Sequence, residues 1–133
     1  MTSLANVGYI REVNDADVEE ILNLGGLRLL ADCDGGDLDV EARTGKEDSH
    51  LKSSGVFTPG SNNVNDITED DFDVGDAIGL LDDEDDDVNM TTSYLAPDGS
   101  HVTVHWDAID GDGGFDDPEC AATGYAVLGN SPS

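Results

Sequence analysis

The chain has 133 residues, long enough for one hydrophobic core and too short for two; 37% of the residues are hydrophobic but only 5% are aromatic. Its 31 aspartates and glutamates stand against five lysines and arginines, which gives a formal net charge of -26. Because a surface this negative repels nucleic acids and anionic membranes, both are excluded as partners. The longest apolar stretch, residues 121–128, is far shorter than the ~20 residues of a membrane-spanning helix, so no membrane insertion is expected.

The N-terminal part contains the one helical candidate. Residues 1–8 are expected to be a flexible lead-in. The segment from Asp15 to Leu24 is a short helix candidate, because Asn14 precedes it as a capping residue and its apolar residues share one face. An extended conformation is an equal alternative, so the sequence predicts at most one short helix.

Two alternating runs follow and predict a β-hairpin. From Leu27 onward every second residue is apolar, which is the period of a strand with one buried face. The sequence Asp-Gly-Gly-Asp at 34–37 supplies turn chemistry, and the alternation then resumes. The predicted buried faces consist of Leu27, Leu29, Ala31, Cys33, Leu38, Val40 and Ala42.

The rest of the chain contains further strand signals. Residues 50–57 and 77–81 are predicted strands, with a loop over residues 58–65 that is rich in Pro, Gly, Ser and Asn. The clearest hairpin turn is Ala-Pro-Asp-Gly at 96–99, because Pro pre-sets φ and Gly takes the left-handed position. The run at 121–128 is apolar on both faces, which predicts a central or interface strand.

Short strands with turn signals about every 8 to 12 residues are typical of sandwiches and jelly rolls. The sequence therefore predicts an all-β fold, an antiparallel β-sandwich of jelly-roll type. It is expected to be a single domain over residues 1–133, with a flexible tail at 129–133.

The two cysteines, Cys33 and Cys120, each lie near the end of a strand-like run. We predict a disulfide between them, because closing so long a loop would stabilise the fold by roughly 4 to 5 kcal/mol and offset part of the charge repulsion. Two separate buried thiols are the alternative. No Cys/His spacing indicates zinc or redox chemistry.

Calcium is the one cofactor that the sequence suggests, because Ca²⁺ takes several carboxylate and carbonyl oxygens from flexible turns. The Asp-rich segments are residues 32–39, 66–87 and 107–117, and none matches an EF-hand. A solvated acidic surface without ions is the alternative. The predicted ligands, for weak binding, are Asp107, Asp110, Asp112, Asp116 and Asp117.

No catalytic residue is predicted, and the chain is expected not to be an enzyme. His101 and His105 flank a predicted strand and lie too far apart to share one metal ion. Ser100 and His105 would form a triad with any of many aspartates, but such combinations arise by chance in an Asp-rich chain.

Trp106, Tyr94 and Tyr125 are candidates for a carbohydrate platform. Core packing is the stronger prediction for Trp106, because it alternates in phase with Val102 and Val104. A carbohydrate or another surface is therefore a ligand that the sequence leaves open.

Four segments are distinctive: LRLLADCDGGDLDVEAR at 27–43, DFDVGD at 71–76, YLAPDGSHVTV at 94–104 and CAATGYAVL at 120–128. Together they resemble the C-terminal globular domains of secreted bacterial collagen-like proteins. The resemblance implies a homotrimeric, jelly-roll-like cap that registers three chains, with the strand at 121–128 at the shared interface. The chain has no Gly-X-Y repeat, which would leave only the globular end of such a protein and puts a fibre role in doubt.

The main hypothesis is thus an extracellular or cell-surface structural or adhesion domain, disulfide-linked, homo-oligomeric and calcium-stabilised. One alternative is a halophile-type acidic domain, solvated in high salt, without a specific ligand. Another, from a different class, is a carbohydrate-binding or hydrolytic β-sandwich.

Overall fold

The structure is a computed structural model that describes residues 3–11, 15–34, 37–58, 64–84, 87–110 and 120–130. These residues form β-strands and no helix. The strands are β1 (Ser3–Arg11), β2 (Asp15–Leu24), β3 (Leu27–Asp34), β4 (Asp37–Thr44), β5 (Ser49–Thr58), β6 (Val64–Phe72), β7 (Ile78–Glu84), β8 (Asp87–Leu95), β9 (Ser100–Asp110) and β10 (Cys120–Asn130).

Two antiparallel sheets pack face to face, which confirms the predicted β-sandwich. The six-stranded sheet has the order β1-β10-β9-β8-β5-β6, and the four-stranded sheet has the order β2-β3-β4-β7. Each sheet contains a meander of three consecutive strands, β8 to β10 in one and β2 to β4 in the other. This order does not specifically confirm the jelly-roll connectivity, which stays a prediction.

The core lies between the sheets and consists of side chains that alternate along the strands. Every residue predicted for the buried faces of the first hairpin is buried, and so is Trp106. The Trp106 indole donates to Thr92 Oγ1 at 3.0 Å, and the hydroxyls of Thr92 and Ser53 lie 2.9 Å apart. These three polar groups of the core are therefore hydrogen-bonded to one another.

The predicted turn at residues 96–99 is confirmed. β8 ends at Leu95 and β9 begins at Ser100. The Gly99 amide donates to the Ala96 carbonyl at 3.0 Å, and Gly99 has a φ of 90°, which favours glycine. The predicted strand at residues 50–57 lies within β5. Of the predicted strand at 77–81, residues 78–81 lie within β7.

Two N-terminal predictions are corrected. Residues 3–8, expected to be a lead-in, belong to β1, because Val7 and Tyr9 alternate into the core and are buried. The helix candidate at Asp15–Leu24 is strand β2, so the extended alternative was right. Ile21 and Leu22 are both buried where the pairing of β2 with β3 shifts register, and this break in alternation imitates a helical pattern.

Three residues of the loop predicted at 58–65 belong to strands, because Thr58 ends β5 while residues 64 and 65 begin β6. Residues 59–63 lie outside the described residues. At the C-terminus, Gly129 and Asn130, which were expected to belong to a flexible tail, are part of β10. Residues 131–133 lie outside the described residues.

The predicted disulfide between Cys33 and Cys120 is confirmed. Cys33 lies in β3 and Cys120 in β10, so the bond joins the two sheets across a sequence separation of 87, with Cα atoms 6.0 Å apart. Both cysteines are fully buried. A covalent link between the sheets opposes their separation by charge repulsion.

A hydroxyl network closes one end of the sandwich. The Tyr94 hydroxyl lies 2.6 Å from Thr44 Oγ1 and 3.1 Å from Ser49 Oγ. Ser49 in turn donates to the Lys46 carbonyl at 2.8 Å, and the Phe72 ring packs edge-on against Tyr94. The end of β4, the start of β5 and the end of β8 are thereby held together.

Candidate binding surface

The outer face of the six-stranded sheet is poor in carboxylates over five of its six strands, although the chain has a net charge of -26. Among the described outward side chains on β1, β10, β9, β8 and β5, Asp107 is the one carboxylate, whereas the edge strand β6 adds Asp66, opposite Ser54, and Asp70. We call this surface the acid-poor face. Its outward side chains are Leu4, Asn6, Ile10, Thr123, Tyr125, Val127, His101, Thr103, His105, Asp107, Asn89, Thr91, Ser93, Leu95, His50, Lys52 and Ser54.

The outer face of the four-stranded sheet is acidic in contrast. Asp32 on β3 stands directly opposite Asp39 on β4, and Glu41 follows on the same face of β4. Arg28 and Arg43 offset part of this charge through ion pairs with Glu20 and with Glu41. The carboxylates are therefore unevenly distributed over the two faces of the sandwich.

An aromatic row crosses the middle of the acid-poor face. Tyr125, His105 and Thr91 stand opposite one another on β10, β9 and β8. The rings of Tyr125 and His105 have centroids 5.3 Å apart, and His105 Nδ1 lies 3.5 Å from Thr91 Oγ1. Tyr125 stays 50% exposed, so its ring is available for contact with another molecule.

A second, polar row runs beside the first. Thr123, Asp107 and Asn89 stand opposite one another on the same three strands. The Asn89 amide donates to Asp107 Oδ1 at 2.6 Å. An amide and a carboxylate fixed side by side offer both donors and acceptors to a polar ligand.

Basic groups gather at the other end of the acid-poor face. His50, Lys52 and His101 line a shallow depression together with Ser93 and Leu95. All three basic side chains are exposed. His50 Nδ1 lies 3.9 Å from Asp70 Oδ1 on β6, and His101 Nδ1 lies 3.2 Å from the Gly99 carbonyl. This end of the face therefore combines Lys52 and two imidazoles with a carboxylate from β6.

A separate acidic cluster lies where β5 begins and β6 ends. One carboxylate oxygen from each of Asp48, Asp71 and Asp73 lies within 4.8 Å of the other two. The Asp48 amide donates to Asp73 Oδ1 at 2.9 Å, and this bond lowers the pKa of Asp73. The negative charge of Asp73 in turn raises the pKa of Asp71. Carboxylates in this arrangement are able to ligate a hard cation.

Sequence reasoning did not predict this cluster. Asp71 and Asp73 lie in one of the distinctive segments, but Asp48 joins them only through the pairing of Ser49 with Phe72. The spacing Asp-x-Asp beside a turn was the available signal, and it is weak in a chain with 31 acidic residues.

The predicted calcium ligands are only partly described. Asp107 lies on the acid-poor face and accepts the Asn89 hydrogen bond. Asp110 is the last residue of β9, and its side chain lies outside the described residues, as do Asp112, Asp116 and Asp117. The calcium prediction for this loop stays a prediction.

The structure separates Ser100 from His105. Ser100 is buried at the closed end of the sandwich, where its hydroxyl donates to Asp98, whereas His105 is on the acid-poor face. Trp106 and Tyr94 are also buried, so of the three aromatic residues considered for a platform only Tyr125 faces outward.

Comparison with family models, curated proteins and solved structures finds no match for this chain. In the part of the chain that the structure describes, no helix is long and apolar enough to cross a membrane.

Proposed function

We propose that the chain is an extracellular, non-catalytic domain that works by self-association through the acid-poor face. The observation that supports this most directly is a single described outward carboxylate, Asp107, on five strands of a chain with 31 acidic residues. Because like charges repel, a surface that meets a second copy of so acidic a chain has to be low in carboxylates. A purely solvating surface has no such requirement.

The disulfide supports the extracellular location. Such bonds persist in oxidising compartments and are rare in the cytosol of most organisms. Cys33 and Cys120 are both buried, so the bond is protected from exchange with external thiols.

The resemblance to collagen-like caps implies three copies, and the number is open to measurement. Sedimentation equilibrium of the oxidised chain in increasing sodium chloride is expected to give a multiple of the monomer mass. The fraction of oligomer should rise with salt, because salt screens the repulsion between the acidic subunits. A monomer at every concentration and salt level would contradict self-association.

Adhesion to a neutral carbohydrate is the second candidate. It is favoured by the exposed Tyr125 ring, which lies beside the hydrogen-bonded pair of Asn89 and Asp107. Tyr125→Ala is expected to abolish retention on an immobilised neutral glycan, while Leu95→Ala, which removes another exposed side chain of the same face, should not. Equal retention of both variants and the wild type would exclude this ring as the binding group.

The halophile-type and calcium hypotheses are separated by thermal unfolding in chelator, in millimolar calcium and in sodium chloride of matched ionic strength. A rise in Tm that is specific to calcium would support an ordered site, at residues 107–117 or at the acidic cluster. Equal stabilisation by sodium would mean that the ions only screen the carboxylates.

A further inference from the structure

The described sheets end in four edge strands, and one of them has no carboxylate. The edges are β1 and β6 in the six-stranded sheet, and β2 and β7 in the four-stranded sheet. The sequence of β1, SLANVGYIR, contains no aspartate or glutamate. The other three edges contain Asp66, Glu69, Asp70 and Asp71 in β6, Asp15, Asp17, Glu19 and Glu20 in β2, and Asp82, Asp83 and Glu84 in β7.

β1 also differs from the other edges in its regularity. The pairings of β2 with β3, of β4 with β7 and of β5 with β6 are each interrupted by a register shift. The pairing of β1 with β10 runs without interruption from Ser3 opposite Leu128 to Arg11 opposite Cys120. Charged side chains and bulges are the two common ways in which proteins protect a strand edge from pairing with another chain. β1 has neither.

Exposed apolar side chains occur on the same strand. Leu4 is 74% exposed and Ile10 is 56% exposed, both on the outward side of the acid-poor face. A regular edge without carboxylates and with exposed apolar groups is a template for an added strand.

We infer that β1 is the docking edge for a second copy of this chain, which pairs with it antiparallel over residues 4–8, with Asn6 opposite its own counterpart. An edge that pairs with its own counterpart around a two-fold axis forms a closed dimer, since each copy presents the same strand. A second copy presents the same four described edge strands, and of these only β1 contains no aspartate or glutamate. The two six-stranded sheets then become one continuous sheet.

Charge explains why this contact forms at the β1 edge and how it responds to salt. β1 and its neighbour β10 both lack carboxylates, so the contact keeps the acidic edges β2, β6 and β7 away from the interface. The net charge of -26 on each copy still opposes association at long range. The dimer therefore strengthens as ionic strength rises.

The test compares two doubly substituted chains that gain the same charge. Asn6→Asp with Gly8→Asp places carboxylates on β1, where both positions face outward and a side chain at Gly8 meets nothing within 4 Å. Thr68→Asp with Gly79→Asp places two carboxylates on β6 and β7, where Gly79 is equally open. Sedimentation velocity over a concentration series in sodium chloride, with thermal unfolding as the check on folding, reads out the mass.

The wild type and the β6/β7 variant are expected to reach twice the monomer mass, and the β1 variant to stay monomeric at the same concentrations. In addition, Asn6→Cys should give a disulfide-linked dimer on oxidation, and Thr68→Cys should not. The β1 contact rests on the proposed self-association, and different results would overturn the contact and the self-association. A trimer, or a dimer that the β1 substitutions leave intact, would overturn the β1 contact while keeping self-association; a wild type that stays monomeric would overturn both.

Discussion

At the scale of single residues, the Tyr94 hydroxyl is one oxygen atom whose removal is expected to lower the stability of the fold. Tyr94→Phe should lower the free energy of unfolding by about 1–3 kcal/mol, because Thr44 and Ser49 lose a buried hydrogen-bond partner. Denaturant unfolding measures the loss, and Tyr125→Phe is the matched control, since its hydroxyl belongs to a half-exposed side chain. Equal stability of the two variants would show that the network does not stabilise the fold.

Asp71 is a residue whose charge works against folding. The neighbouring Asp73 carboxylate raises the pKa of Asp71, so the folded state binds this proton more readily than the unfolded state. The associated stability is present at low pH and is lost as pH rises through the raised pKa. Asp71→Asn is therefore expected to raise Tm at neutral pH and low salt, and the gain should shrink in sodium chloride.

The control for Asp71→Asn is Asp66→Asn, which removes an equal charge from the same strand outside the acidic cluster. A gain in Tm of the same size in both variants would mean that only net charge matters.

At the scale of elements, the turn between β8 and β9 is tied to the loop that follows β4. Lys46 Nζ donates to Asp98 Oδ2 at 2.8 Å and to Ser100 Oγ at 2.9 Å. The hydrogen bonds from Lys46, and next those from Ser100, hold the pKa of Asp98 well below its usual range. A depressed carboxyl pKa contributes stability above the unfolded pKa, and this is lost as pH falls through the folded value.

Asp98→Asn should therefore be less stable than the wild type at neutral pH, with a difference that narrows as the pH falls below the ordinary carboxyl range. Thermal unfolding over a pH series measures it. The double variant Asp98→Asn with Lys46→Met should lose less free energy of unfolding than the sum of the two single losses, because both changes remove the same interaction. Strict additivity would show that the pair does not link the elements.

Uninterrupted alternation made four of the predicted strands visible in the sequence. β3, β4, β8 and β9 each place one apolar series in the core, and the two-residue period is visible without the fold. β6 was missed because a register shift breaks its period and Ile67 and Phe72 are its only inward apolar residues in the described part. Its four acidic residues resemble a loop.

The candidate surface was less predictable than the fold. The acid-poor face exists because β1 and β10, from opposite ends of the chain, pair beside β9. No local pattern indicates which strands become neighbours in a sheet. Asp107 was singled out for a calcium loop, whereas the sheet order places it in a row with Asn89 and Thr123.

At the scale of the whole molecule, the disulfide is the element that offsets the charge repulsion. The double change of Cys33→Ala and Cys120→Ala should lower the free energy of unfolding by about 4–5 kcal/mol, the loop-entropy value for so long a separation. Denaturant unfolding at fixed salt measures it, and the loss of folding should be largest at low ionic strength. A loss below about 1 kcal/mol would contradict a stabilising role.

The whole molecule is also asymmetric in charge, with one face available to a second copy and the other acidic. Amide NMR spectra of the oxidised chain, recorded over a concentration series in moderate sodium chloride, locate the contact surface directly. Concentration-dependent shifts are expected at the β1 edge of the acid-poor face, at Leu4, Asn6 and Gly8, and not at Asp32 or Glu41 of the four-stranded sheet. Spectra that do not change with concentration, or shifts centred on the four-stranded sheet, would contradict self-association through this face.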